Sequence, residues 1–574
     1  MKLVLGTLRV QALLPWKGTE DPRSGIMMRN VSLVRRWPRT LILAALPLLL
    51  TCAASASEPP HTPPSGQTGA PEKPRLIVFL VVDQLRGDLL DRYASLFQGG
   101  LKRLLSEGMS FSKALHDHAQ TETSPGHATL STGVFPSRAG IPSNAWREGP
   151  GGETRTVYNV VDPGEALPGV EGLPGSSPAV LRRTGLADWL VEANPEARVV
   201  SVSGKDRAAV LMGGKGQGEV FWFEAQAGRF VTSTYYKDRS PSWLDAFNKD
   251  MVLRYVPDST WTSTVPPDKT GLSAPDTAAF EGDGVHSYFP HAFSAEVLDP
   301  GPGDLALWFE GTPMLDEATL DVALLAMGDA DVGQEDGRTD FLSISFSQTD
   351  RVGHAYGPLS REQMDNLLRL DRVMERLFAA LDELVGPDRG VIGFRGGCGV
   401  MNNPERIDGG GLRLSDQHRF KLEQALSVAA RKAGTDSNLT IPAAMTEALR
   451  ELEFVGPAYT HAALSGKSEG DSLAVLFRHS YTPGRAGGLL STYGVEMWWD
   501  ENVLAWGMPV GTTHGSPFHY DRWVPLILFG PGIEAGVVDR PVRPMDLAPT
   551  LAGLAGISYP DDLDGEPLLK KEGY

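Results

Sequence analysis

Three short apolar runs give the strongest pattern along the chain. Residues 76–82 (LIVFLVV) are hydrophobic without alternation, as expected of a strand buried on both faces of a parallel sheet. Residues 341–346 (FLSISF) and 524–529 (VPLILF) repeat the pattern. Asp83 follows the first run, Ser347-Gln348-Thr349-Asp350 the second and Gly530-Pro531-Gly532 the third. Residues 360–385 have a different period. Met364, Leu367, Leu368, Val373, Met374, Leu377, Phe378 and Leu381 recur at three- and four-residue spacing behind a Ser360/Gln363 capping box, which predicts one amphipathic helix. Strands alternating with helices predict an α/β fold, a mostly parallel central sheet with helices on both faces. Asp83, at the carboxyl end of a buried strand, stands where open α/β sheets place their ligands.

Two stretches break this pattern. Residues from about 140 to 310 are rich in Gly, Pro and aromatics (FWFEAQAGRF, TSTYYKDRSPSW) and read as insertions that build a cap. Residues from about 403 to 490 contain helical segments at 421–433 and 443–453 and read as a smaller subdomain. No clean linker separates either from the rest, so 75–570 reads as one domain with elaborations.

The amino end reads as an address. Arg29, Arg35, Arg36 and Arg39 precede an apolar core at 41–50, too short to span a bilayer comfortably, and Ala54-Ser55-Ala56 supplies an A-x-A cleavage site. Residues 1–56 are therefore an expected export signal, with 1–26 an upstream extension from a misplaced start. The mature chain is expected in the periplasm or outside the cell, without a transmembrane span. Leu49-Leu50-Thr51-Cys52 offers an alternative cleavage box that would leave a lipid anchor on Cys52, in an outer-membrane lipoprotein. Residues 57–74, rich in Pro, Gly, Ser and Thr, read as a disordered linker.

Composition narrows the function classes. The 574 residues include 64 Gly and 43 Pro with no period, which argues against collagen-like and repeat architectures. Only 2 Cys are present, too few for a disulfide scaffold or a Cys-rich metal module. If Cys52 leaves with the signal, Cys398 is the sole thiol. The net charge is −18, and losing residues 1–56 makes it about −24. A nucleic-acid partner bound through a broad basic surface is excluded on that balance. An anionic substrate must then meet its positive charge locally, from side chains or metal ions.

The candidate chemistry lies in a few segments. Asp350-Arg-Val-Gly-His354 is a D-x-x-G-H motif whose Gly would let the chain turn so that both ligands face one point. One Asp oxygen with two His nitrogens, the second from His514, is a suitable first shell for Zn²⁺ with an open position. Thr121-Glu122-Thr123-Ser124-Pro125-Gly126-His127 places three hydroxyls ahead of a histidine, and Gly204-Lys205-Asp206-Arg207 and Ser143-Asn144-Ala145 supply cationic and amide groups. Alone, each of these short motifs is more often a surface or turn feature. Gly466-Lys467-Ser468-Glu469-Gly470 formally matches G-x-S-x-G but lacks the strand and helix that a nucleophile elbow needs.

Taken in order, these segments carry a resemblance. Asp83 after a strand, Thr123 four residues before His127, D-x-x-G-H, and Thr513-His514-Gly515 ahead of a VPLILFG strand resemble the alkaline phosphatase superfamily. Within it the chain is similar to the type I phosphodiesterase/nucleotide pyrophosphatase group, in particular the phosphate-irrepressible alkaline phosphatases. The likeness runs from about Arg75 to Leu569 and includes the segments 544–551 and 564–568. It implies an alkaline-phosphatase-like α/β fold, two zinc sites, and Thr123 as a metal-bound nucleophile that forms a phosphothreonine. Two metals about 4 Å apart would clamp the attacking and leaving oxygens. It also implies metal ligands at Asp83, Asp350, His354 and His514, a structural His127, and phosphoryl contacts from Asn144, Lys205 and Arg207. Lys205 and Arg207 favour small phosphate monoesters, with a phosphodiesterase or nucleotide pyrophosphatase as the alternative.

One segment departs from that resemblance. Where the family pattern calls for an Asp-His pair in the second metal site, this chain has Gly397 and Cys398. Gly397 has no side chain with which to ligate, and Cys398 can do so only as a thiolate. Three outcomes follow: a weakly held second metal and a slow enzyme, a protein that binds phosphoesters without turnover, or rescue by a neighbour such as His116, Asp117 or His118.

Overall fold

The computed structural model describes residues 73–569, apart from 150–153, 217, 283–284, 297–302 and 467–469. The expected export signal, Cys52, almost all of the 57–74 linker and the middle of the 466–470 motif lie outside the described residues.

The run at 76–82 forms β1 (Leu76–Val82), at the centre of a nine-stranded sheet. The others are β2 (Met109–Ala114), β3 (Val199–Ser203), β4 (Glu219–Glu224), β5 (Arg229–Val231), β6 (Asp340–Phe346), β7 (Gly390–Gly396), β8 (Leu526–Phe529) and β9 (Gly536–Val542). Their order is β9-β2-β8-β7-β1-β6-β3-β4-β5. β1 pairs in parallel with β6 (Leu76↔Asp340) and with β7 (Leu76↔Gly390). Only β5 and β8 run against the rest. This is the expected α/β architecture with a mostly parallel sheet.

The helices that carry or brace the site are α1 (Thr123–Thr132), α2 (Leu186–Ala193), α3 (Asp206–Met212), α4 (Met314–Asp329), α5 (Gln348–Tyr356) and α6 (Arg361–Leu384). Further along lie α7 (Asp416–Thr435), α8 (Ile441–Arg450) and α9 (Leu547–Leu554). Because side chains alternate along a strand, β1 feeds two cores. Leu76, Val78, Leu80 and Val82 pack with Leu315 and Val322 of α4 and with Met364, Leu367, Met374 and Leu377 of α6. Ile77, Phe79 and Val81 pack on the other face with Leu186 and Leu190 of α2 and with Leu547 and Leu551 of α9. Every residue of β1 is buried, which is why its sequence shows no alternation. Leu80→Ala is expected to cost about 2–5 kcal/mol of unfolding free energy, checked by chemical denaturation, because the central strand cannot collapse around the cavity.

Two expectations change. The stretch 140–310 is not wholly an insertion, since it supplies β3, β4 and β5 of the central sheet. VVSVS and EVFWFE are short and sit among Gly- and Pro-rich segments, so composition over a long window masked them. The same stretch does build two hairpins beside the sheet, Ala145–Glu148 with Arg155–Tyr158 and Val161–Leu167 with Val170–Ser176. The later elaboration has its own core. Leu422, Leu426 and Ala429 of α7 pack with Met445 and Leu449 of α8 and with Trp499 and Trp506, beyond the expected end at 490.

Candidate functional site

The carboxyl ends of the parallel strands gather the chemistry. Asp83 follows β1, Lys205 follows β3, α5 follows β6, Gly397 and Cys398 follow β7, and the segment leading to Thr123 follows β2. Since β8 is antiparallel, the loop that precedes it brings His514 to the same edge.

At the end of β1 the backbone turns sharply. Gln84 adopts a left-handed conformation (φ 57°), uncommon for a residue with a side chain, while fully buried. The turn aims Gln84 across the sheet, where its Nε2 donates to Asp350 Oδ1 at 3.2 Å. Sequence reading missed Gln84, since no pattern around it signals positive φ.

Asp350 and His354 lie on α5, so the D-x-x-G-H segment is helical and not the turn expected of its glycine. Two residues four apart on a helix share a face, which brings both groups to one point. Gly353 has a different use: a Cβ there would collide with Gln84 Oε1. α5 is braced at both ends of its first turn. Asp316 Oδ1 accepts from Ser347 N at 2.8 Å, and Gln363 Nε2 of α6 donates to the Thr349 carbonyl at 2.8 Å. Ser360 caps α6 as its sequence implies, accepting from Gln363 N at 3.1 Å.

The two histidines are held in one tautomer by backbone carbonyls. His354 Nδ1 lies 3.0 Å from the Thr512 carbonyl and His514 Nδ1 lies 2.8 Å from the Thr121 carbonyl. An Nδ1–H donated to a carbonyl leaves Nε2 as a bare lone pair. Those two Nε2 atoms point at Asp350 Oδ1, at 3.4 and 3.0 Å. Three acceptors converging on one point require a proton or a cation between them. Asp350, His354 and His514 offer donor atoms all within 4.8 Å of one another, so they could hold a metal ion. Burial opposes charge on His514, yet the Cys398 sulfur and the hydrogen-bonded Asp350 outweigh it and raise its basicity well above the usual histidine range.

Beside this triad lies a buried ion cluster. Lys205 Nζ donates to Asp83 Oδ2 at 2.7 Å and to Asp350 Oδ2 at 2.6 Å, with its side chain only 1% exposed. Burial would push both carboxyls up, but the lysine overrides it and both are held below the ordinary carboxylate range. Asp83 Oδ1 has no hydrogen-bond partner. A Cβ at Gly397 would stand 2.5 Å from that oxygen, so the glycine is what allows Asp83 its position. Cys398 Sγ faces His514 Nδ1 at 3.3 Å, on the side of the ring away from Asp350. Burial raises its thiol, which disfavours the thiolate a metal would need. Cys398 is thus placed against a backbone-facing nitrogen, and the metal-capable group does not include it.

Thr123 opens α1 and is buried, as is Ser124. Asn144 Oδ1 accepts from Ser124 N at 2.9 Å, and Ser124 Oγ accepts from Asn159 Nδ2 at 2.5 Å, so the Ser124 hydroxyl is committed to the scaffold. His127 is braced at both nitrogens, by the Thr123 carbonyl at 2.7 Å and Ser345 Oγ at 2.9 Å, and burial lowers its pKa to about 4. Glu122, unflagged by the sequence reading, clamps the segment: it accepts from Asn144 N and from Gln120 Nε2, both at 2.6 Å. Arg207, the second residue of α3, donates from Nη1 to Tyr158 Oη at 2.7 Å and lies 3.8 Å from Asp206 Oδ1. His116 packs edge-on to His118, neither in the metal-capable group. Instead His116 Nε2 approaches Arg395 Nη2 at 2.8 Å. Arg395, also unflagged, is fully buried on β7, and burial lowers its pKa to about 9.

Residues 77–390 match the type I phosphodiesterase/nucleotide pyrophosphatase family. The chain belongs to that family. Its relatives there include alkaline phosphatase PafA of Elizabethkingia meningoseptica, 30% identical over 88% of this chain and 96% of that one. Alkaline phosphatase PhoK of a Sphingomonas species is 31% identical over 86% of this chain and 91% of that one. The crystal structure of wild-type PafA matches with a TM-score of 0.75 at 29% identity, over 87% of this chain and 99% of that one. Within the type I phosphodiesterase/nucleotide pyrophosphatase family the chain is therefore an alkaline-phosphatase-like phosphoric ester hydrolase. The carboxy-terminal signature has a structural use: Asp564 accepts from Phe135 N at 2.9 Å and Arg138 Nη1 at 2.7 Å, fastening the chain just beyond α1.

Proposed function

We propose that this protein is an exported phosphatase that hydrolyses small phosphate monoesters through Thr123, with zinc at Asp350, His354 and His514. The observation that carries this reading is the convergence of two His Nε2 lone pairs and Asp350 Oδ1 beside a buried lysine, at the edge where Thr123 opens α1. Zinc bound there would polarise a phosphoryl oxygen and lower the barrier to nucleophilic attack. Thr123 Oγ1 forms a bond to phosphorus as the ester P–O bond breaks, and the hydroxyl proton leaves with the departing alcohol. Water then cleaves the phosphothreonine and releases phosphate. Lys205 has three N–H donors, two of them spent on Asp83 and Asp350; the third serves a phosphoryl oxygen. Arg207 and Asn144 complete the cradle, Arg207 through its rigid fork. Among the described residues no helix is long and apolar enough to cross a membrane. The basic, apolar and A-x-A pattern of residues 1–56 supports export.

The test compares p-nitrophenyl phosphate with bis(p-nitrophenyl) phosphate. We expect kcat/KM at least about 100-fold higher for the monoester, since each fixed cation gains more from a dianion than from a monoanion. A preference for the diester would replace this reading with the phosphodiesterase one. EDTA is expected to abolish turnover and added zinc to restore it. A protein that binds phosphate and releases no product from either ester would be the non-catalytic phosphoester binder that Gly397 makes the second reading.

A further inference from the structure

The family resemblance implies a second metal beside Asp83 and Thr123, and the residues present there do not fit one. Gly397 contributes no ligand atom, and the space its side chain would enter is taken by Asp83 Oδ1. Cys398 points its sulfur at His514 Nδ1 and is not among the converging donor atoms. A site with one carboxylate and one alcohol falls short of the three protein ligands that a catalytic zinc ordinarily takes.

We propose that the centre is mononuclear, and that the Lys205 ammonium, backed by the buried Arg395 guanidinium, supplies the positive charge a second metal ion would otherwise bring. Two buried carboxylates cannot both stay ionised side by side without a cation between them. Lys205 Nζ meets both, at 2.7 and 2.6 Å, from a buried side chain. Arg395 adds a fixed charge on the adjoining strand, its Nη2 donating to the Gly397 carbonyl and approaching His116 at 2.8 Å. The formal charges then balance. Lys205 and Arg395 offset Asp83 and Asp350, Arg207 is paired with Asp206, and one divalent ion remains to neutralise one dianionic phosphoryl group. A second divalent ion would leave the occupied site doubly positive. The inference deepens the phosphatase reading by tying monoester selectivity to a metal count, and only the dianion argument rests on that reading.

The deciding measurement is the zinc content of the purified protein after dialysis against zinc, by plasma mass spectrometry, with anomalous scattering at the zinc edge to place the ions. One zinc per chain, on Asp350, His354 and His514, is expected. Two zinc ions per chain in the unmodified protein would overturn the proposal. Lys205→Ala removes one positive charge and adds no ligand atom, so its zinc content in 1 mM zinc is expected to stay at one while kcat/KM for p-nitrophenyl phosphate falls at least about 100-fold; Lys205→Arg should also hold one zinc and lose less. A folded Lys205→Ala protein that takes up two zinc ions, or that keeps full turnover with one, counts against the proposal. If the alanine variant does not fold, the stoichiometry and scattering of the unmodified protein still decide. One zinc with no ester turnover would sink the phosphatase reading and leave the mononuclear assignment standing.

Discussion

Thr123→Ala is expected to lower p-nitrophenyl phosphate turnover by at least about 1000-fold while leaving bound zinc unchanged. The magnitude follows from losing the proposed covalent route through Thr123. Unchanged zinc is expected because the metal-capable group is built from α5 and the loop before β8, not from α1. Thr123→Ser should retain part of the activity, since it keeps the hydroxyl on the same backbone. Ser124→Ala serves as the contrast. Its hydroxyl is held by Asn159 at 2.5 Å, so its loss should act through loosening of that hydrogen-bond network and reduce kcat far less. Equal losses at the two positions would put the nucleophile elsewhere.

His514→Ala is expected to weaken zinc binding by more than about 100-fold, readable by competition with a chromophoric chelator, and to remove p-nitrophenyl phosphate turnover at ordinary zinc concentrations. Even partners one shell out typically account for 10- to 100-fold in metal affinity, and His514 is placed as a direct donor. Its removal also unties the Thr121 carbonyl, so a smaller effect at the start of α1 should accompany it. Cys398→Ala separates the two roles. The sulfur touches His514 Nδ1 and is not among the converging donors, so that variant should keep its zinc. A Cys398→Ala protein stripped of zinc would instead make the thiol a ligand.

The α/β class was legible because a strand covered on both faces must be apolar at every position, and LIVFLVV announces that without help from the rest of the chain. The amphipathic helix α6 was legible for the same local reason, down to its Ser360 cap. β3 and β4 were not. Segments of five and six residues, with three and four apolar positions, become strands between glycine-rich stretches only because β6 offers an unpaired edge for β3 and β3 in turn offers one for β4.

The family resemblance carried by residue types and their order nominated Asp83, Thr123, Asn144, Lys205, Arg207, Asp350, His354 and His514 as candidates, and marked Gly397 and Cys398 as a departure. Those facts need no coordinates, because they concern what a side chain can donate, accept or ligate. Which atoms meet was decided by the tertiary structure alone. The fold made D-x-x-G-H a helix, turned both histidines so that Nδ1 faces a carbonyl and Nε2 faces Asp350, and set Cys398 behind His514. It also carried Lys205 from β3 past β6 to reach Asp83 at the end of β1. The acidic balance of the chain demanded a local source of positive charge. Strand order, which no local pattern encodes, brought Lys205 and Arg395 to that edge.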